Sequence, residues 1–422
     1  MQSEAQSNSG SEQPFVGADV GRLVLNRKTN SELPYVRSYK SFEAGEARFT
    51  LDGSNELEEH LSGVCRKVLS GILEVVSAKS LEGLLLAGGY GRGEGGVLKA
   101  EDHRDRPYND MEFYVFLRGL PWPNERRYGG ALRWLAHKLS PEAGVEVEFK
   151  LLSLKRLRRS PVSMFFYDMV MQHRLLWGAK DLLANCSHHC AAQRIPLAEA
   201  TRLLMNRCTG LLFAQERMNR ESFNLENADF VGRNQAKAQL AFGDVILTAH
   251  GQYHWSCRKR AQRLVEVQSD FPRLEEIKHH HEAGVKFKLH PKRTTTSRFV
   301  LSERQRELSG LGLDLWLWLE RRRLKRSFPG IREYAVSKID KCPETKMWRN
   351  ALVNLKTFGP TALLRTNYPR ERMLNTLPLL LWAPEALISP EILGYVQKNL
   401  RTKASSFPDL VQAYRVIWER FN

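Results

Sequence analysis

The stretch from Leu84 to Phe116, LLLAGGYGRGEGGVLKAEDHRDRPYNDMEFYVF, constrains the fold more than any other part of this 422-residue chain. An apolar run ends in six glycines between Gly88 and Gly96. Each glycine costs about 1 kcal/mol relative to alanine inside a helix, so six together predict a turn rather than a helix. Glycine also permits positive φ and close approach of the backbone to another group. The next alternating run carries Asp110 and Glu112, two residues apart. A strand there points both carboxylates to one face.

The flanks extend this into a unit. Residues 55–78 place Leu57, Leu61, Val64, Val68, Leu69, Ile72 and Leu73 at helical spacing, which predicts a helix with one buried face. LEGLLLAGG and MEFYVFL read as strands, YGGALRWLAHKLS as a helix, and GVEVEFKLLSL as a third strand. The order is α-β-turn-β-α-β over about 100 residues. Upstream, residues 1–14 read as a disordered tail, and VGRLVLNRK and ARFTLDG as short strands. Downstream, MFFYDMVMQHRLLWG, PLAEATRLLMNRCTGLLFAQERM and RNQAKAQLAFGDVILTAHGQYHW read as helices. LHPKRTTTSR is a polar linker, and LDLWLWLERRRLKR and LVQAYRVIWERFN begin and end a further helical segment. The expected architecture is α+β: a mixed sheet with helices over 15–160, a helical bundle over 161–290 and a mostly helical segment over 300–422.

A net charge of +17 and a pI of about 9.7 point to an anionic partner: nucleic acid, nucleotide phosphates or acidic lipid. Six cysteines scattered through a long chain fit a reducing compartment better than a disulfide framework. The start, MQSEAQSNSGSEQP, lacks the charged and apolar regions of a signal peptide. The longest apolar stretch, LPLLLWAPEALI, contains Pro384 and Glu385 and is too short to span a bilayer. The expectation is a soluble, cytoplasmic protein that engages no membrane.

A strand ending in Gly-Gly, a G-R-G-E turn and a strand carrying acid-x-acid resemble the DNA polymerase beta-type nucleotidyltransferases of bacterial kind. The resemblance covers about residues 55–182 and includes SMFFYDMVMQHRLLWGAKDLL, which is similar to the helix and L-x-G-x-D-L segment that follow in that superfamily. RNQAKAQLAFGDVIL resembles the helical partner domain of kanamycin-type and minimal nucleotidyltransferases. The resemblance implies a glycine turn that cradles a nucleoside triphosphate (Gly88, Gly89 and Gly91) and carboxylates that hold two Mg²⁺ or Mn²⁺ ions (Asp110 and Glu112). It also implies a third carboxylate from VEVEF, where Glu146 and Glu148 share a strand face and Glu148 is the expected ligand. Two departures stand out. About 20 residues separate Gly89 from Asp110, so the loop VLKAEDHRDRPY, with Glu101, Asp102 and Asp105, is inserted. Gly89 also stands where many members carry a serine.

Elementary chemistry supports the same assignment. Magnesium takes hard oxygen ligands and keeps one or two carboxylates together with substrate phosphates. Arg92 offers bidentate charge to those phosphates, and Glu94 suits a capping role in the turn. Arg233, Lys237 and Asp244 fall on one helical face at offsets of four and seven. Read functionally, Lys237 meets phosphates and Asp244 acts as base for the acceptor; read structurally, they form an ion-pair ladder. The expected activity is transfer of a nucleoside monophosphate to a hydroxyl or phosphate of RNA, a protein or a small molecule. The rival is a catalytically inactive module of the same fold that binds nucleic acid or a protein partner.

Other motifs carry less. Cys186, His188, His189 and Cys190 are too tightly spaced for a zinc site without a second ligand pair. His279–His281 read as an exposed patch. The runs Lys155–Arg159 and Arg321–Arg326 read as solvated basic faces, the second with Trp316 and Trp318 beside it for nucleic-acid contact.

Overall fold

The computed structural model describes residues 48–100, 102, 104–362 and 366–421. The N-terminal tail, the VGRLVLNRK strand and Glu101 lie outside the described residues. The fold is α+β, as the sequence predicts. The described part of ARFTLDG, residues 48–53, forms no strand: Thr50 makes one bridge to Gly95, and the Glu58 carboxylate accepts from the Phe49 and Thr50 amides.

Helix α1 (Asn55–Val75) starts at Ser54, whose side chain caps the Leu57 amide, and buries Leu57, Leu61, Val64, Val68 and Ile72. Strand β1 (Leu81–Leu86) follows, then one helical turn, α2 (Gly88–Gly91). This corrects the expectation of a turn without helix. The helical turn is anchored by its own Tyr90, whose buried hydroxyl donates to the Gly96 carbonyl and accepts from the Tyr108 and Asn109 amides. The inserted loop folds into a hairpin, β2 (Val97–Lys99) with β3 (Asp105–Pro107). Then come β4 (Met111–Leu117), α3 (Pro121–Ala143) and β5 (Val147–Leu152). A short turn, α4 (Leu154–Leu157), leads to α5 (Met164–Met171) and β6 (Arg174–Gly178).

The sheet order is β5-β4-β1-β6, with β4 and β5 parallel and β1 antiparallel to both neighbours. Leu84, Leu86, Phe113 and Val115 pack on α1 and α3 from one face, while Leu85, Tyr114 and Phe116 meet Leu154, Leu157 and Met169 on the other. Strand β6 corrects two expectations. MFFYDMVMQHRLLWG is half helix and half strand, because short apolar runs do not distinguish the two by period. A boundary at residue 160 also cuts the sheet, since β6 pairs with β1.

The rest is helical: α6 (Leu197–Met218), α7 (Leu225–Ala249), α8 (Cys257–Glu266), α9 (Leu274–Leu289) and α10 (Arg298–Leu324). Among the described residues, α11 (Ile331–Val336), α12 (Met347–Phe358), α13 (Arg370–Trp382), α14 (Pro390–Leu400) and α15 (Phe407–Phe421) follow. The division at 290–300 does not separate two cores. Leu211, Phe242, Trp316, Leu377 and Tyr414 belong to one continuous apolar cluster. Among the described residues, no helix is long and apolar enough to cross a membrane.

Candidate nucleotide and metal site

Strand register builds the acidic centre. Glu112 pairs with Glu148 across the parallel strands β4 and β5, and the Met111 amide bonds the Glu146 carbonyl. Asp110, just before β4, and Glu146, just before β5, therefore lie beside each other, one step along from the Glu112–Glu148 pair. Ligand atoms of Asp110, Glu146 and Glu148 come within 4.8 Å of one another. The expected trio was Asp110, Glu112 and Glu148; the cluster takes both acids of VEVEF instead. Glu112 is turned aside, its Oε2 accepting from the Tyr114 hydroxyl at 2.6 Å. Lys150 stands between the strands, with Nζ 2.9 Å from Glu148 and 3.6 Å from Glu112.

Crowded like charges set the protonation of this centre. Desolvation, and then the Glu148 carboxylate, push Asp110 above the ordinary aspartate range, while Lys237 pulls the other way. Desolvation and Asp110 raise Glu146 similarly. Burial lowers Lys150, but Glu112 and Glu148 outweigh it and the net shift is upward. A carboxylate group this short of countercharge fits a divalent cation with hard oxygen ligands.

Beside this centre lies a cavity of about 420 Å³ between the sheet and the bundle. Gly88, Gly89 and Arg92 form one wall, with Asp110 and Glu112 next to them. Gly88 has φ +65°, and a β-carbon there would sit 3.5 Å from the Glu112 carboxyl carbon. Gly91 does not reach the cavity: its missing β-carbon leaves room for the Leu86 carbonyl oxygen, 2.2 Å from where that carbon would lie. Its role is to let the chain double back onto β1.

The opposite wall is cationic. Lys237 from α7 lines the cavity as expected, joined by Arg207 from α6 and Lys288 from α9. None of the three makes an ion pair or side-chain hydrogen bond to a described residue. Burial, followed by Arg207 and Arg233, lowers the Lys237 ammonium, and burial followed by Arg92 lowers Lys288. Uncompensated cations facing a hollow are the arrangement an anionic ligand completes. Sequence reading missed Arg207 and Lys288. For Arg207 the available signal was a charge within the apolar stretch of its helix, among Leu203, Leu204, Met205 and Cys208.

Arg92 is already engaged. Its Nη1 is 2.9 Å from Asp168 Oδ2, which also accepts from Tyr253 at 3.2 Å. Asp244 lies outside the cavity and is not placed to serve as an acceptor base. Arg260 Nε approaches it at 2.6 Å and His281 Nε2 at 3.1 Å, all three buried. Arg260, with the hydrogen bond from His281, holds Asp244 below the ordinary range against the desolvation that would raise it. The structural reading of that residue wins. Arg233 pairs with Asp229 at 3.1 Å.

The remaining motifs are structural. Glu94 is buried and accepts from the Ser256 hydroxyl at 2.5 Å and the Cys257 amide at 2.9 Å, so it ties the glycine turn to the start of α8. His280 and His281 are buried, not an exposed patch, and bond Glu307 and Asp244. His189 is buried against the Leu157 carbonyl. Arg323 is sealed in an ion pair with Glu320 and Arg322 pairs with Asp270, while Arg321, Lys325 and Arg326 are exposed, so only part of the 321–326 run is the solvated basic face that the sequence predicts. Trp316 and Trp318 are core residues.

A larger groove of about 1870 Å³ meets the cavity at Tyr108 and Asp110. Its walls come from the β2–β3 hairpin, the α1 start, the α3 end and the 292–293 linker. No family model matches the chain, and no curated protein matches it.

Proposed function

We propose that this protein is a magnesium-dependent nucleotidyltransferase that moves a nucleoside monophosphate from a nucleoside triphosphate to an acceptor hydroxyl or phosphate. The observation that carries the reading is a single cavity with a glycine turn and acidic strand on one side and three unpaired cations on the other. Asp110, Glu146 and Glu148 would hold magnesium or manganese, with Glu112 at their flank. Bound there, two divalent ions supply activation of the attacking oxygen and charge neutralisation at the leaving pyrophosphate. Arg207, Lys237 and Lys288 bind the triphosphate, and Gly88 and Gly89 at the start of α2 line the same hollow. The adjoining groove takes the acceptor, so both substrates converge on Asp110.

The test is incubation with each labelled nucleoside triphosphate, magnesium or manganese, and a cell extract. Label is expected on an acceptor with wild-type protein and absent with Asp110→Asn. Nucleotide binding by calorimetry without transfer under any metal would favour the non-catalytic module, for which the Lys150 ammonium between Glu112 and Glu148 is the supporting feature.

A further inference from the structure

Helix α3 turns one face to the sheet through Tyr128, Leu132, Leu135 and Leu139, and its other face has no partner in the described chain. That outer face is unusual in composition. Trp122 and Trp134 are 65% and 64% exposed, where large apolar side chains normally seek cover. Arg126 stands over the Trp122 ring at 4.7 Å and Lys138 over Trp134 at 5.4 Å. Arg118, Arg127 and Arg133 are exposed alongside them, and the one acid within the stretch, Glu125, is paired with Arg133.

We propose that the outer face of α3 is a docking surface for single-stranded nucleic acid. Trp122 and Trp134 supply flat stacking platforms, and the arginines and lysine around them meet phosphates. Stacking on aromatic rings with cations tracking the backbone is how strands are held without sequence preference. The two rings lie twelve residues apart, about 18 Å along a helix, with Gly130 and Ala131 leaving the middle of the face low. A membrane surface fits less well. Interfacial helices present a continuous apolar stripe, and here Arg126 and Arg133 interrupt it. The helix ends at Glu142 and Ala143, which line the large groove, so a strand running along α3 is led toward the acidic centre. The charge complementarity stands independently of the transferase reading.

The experiment is fluorescence anisotropy of the full chain with a labelled oligouridylate of about 16 nucleotides, the upper site size of strand-binding folds. Binding is expected to weaken at least tenfold between about 50 and 200 mM salt. Trp122→Ala with Trp134→Ala should lower affinity roughly tenfold or more, the scale of lost stacking on two rings. Trp122→Phe with Trp134→Phe should retain most of it, which separates stacking from a folding defect. Arg126→Gln, Arg127→Gln and Lys138→Gln together should flatten the salt slope. No binding at low salt, or wild-type affinity in the alanine pair, would overturn the proposal. So would flotation with phosphatidylserine vesicles in a protein that ignores the oligonucleotide.

Discussion

Asp110 and Glu94 are acids with opposite effects on stability. Asp110 is raised in the folded chain, so the native state binds its proton more tightly than the unfolded state. Its penalty is absent below the unfolded pKa and complete above the folded one. Asp110→Asn is therefore expected to raise the melting temperature of the metal-free protein at neutral pH, while abolishing both the magnesium-induced rise and transfer. Calorimetric scans with and without magnesium check this. Lys150→Met should likewise shift magnesium stabilisation to lower metal concentration, because the competing ammonium is gone. Glu94 runs the other way. Hydrogen bonds from Ser256 and Cys257 outweigh its desolvation and depress it. Its stabilisation is present above the unfolded pKa and lost as pH falls through the folded one. Glu94→Ala should cost about 2–4 kcal/mol in denaturant unfolding, for two charge-assisted bonds and a helix cap.

At the scale of elements, strands β1, β4 and β5 were legible because each rests on local information. The alternation of MEFYVFL is written into consecutive residues, and it matches Met111–Leu117 without shift. What failed depended on partners distant in sequence. Nothing in RLLWG tells that β1 has an open edge for it, and nothing in His280 or His281 tells that Asp244 and Glu307 lie opposite. The choice between Glu146 and Glu148 had the same origin: cross-strand register decides it, and register brings in both. Asp244 shows the consequence for a site residue. Asp244→Ala would strand the Arg260 guanidinium in the interior, and a loss of about 3–5 kcal/mol is expected in urea unfolding. A catalytic base would lose rate without that loss of stability.

For the whole molecule, positive side chains play different parts: Arg323 is buried in a pair with Glu320, Lys237 faces the cavity, and Arg126 lies exposed on α3. Arg323→Met should therefore destabilise the C-terminal helices without changing oligonucleotide affinity, which parallel melting and anisotropy measurements separate. The connection order of the sheet has a further consequence during synthesis. Strand β1 leaves the ribosome first, yet it is central and needs β4 on one edge and β6 on the other. Until residue 178 has emerged, the nascent chain carries an apolar strand with one unpaired edge, a template for wrong pairing. Translation pauses between β4 and β6 would lengthen that exposure, whereas pauses after β6 find both edges of β1 already paired.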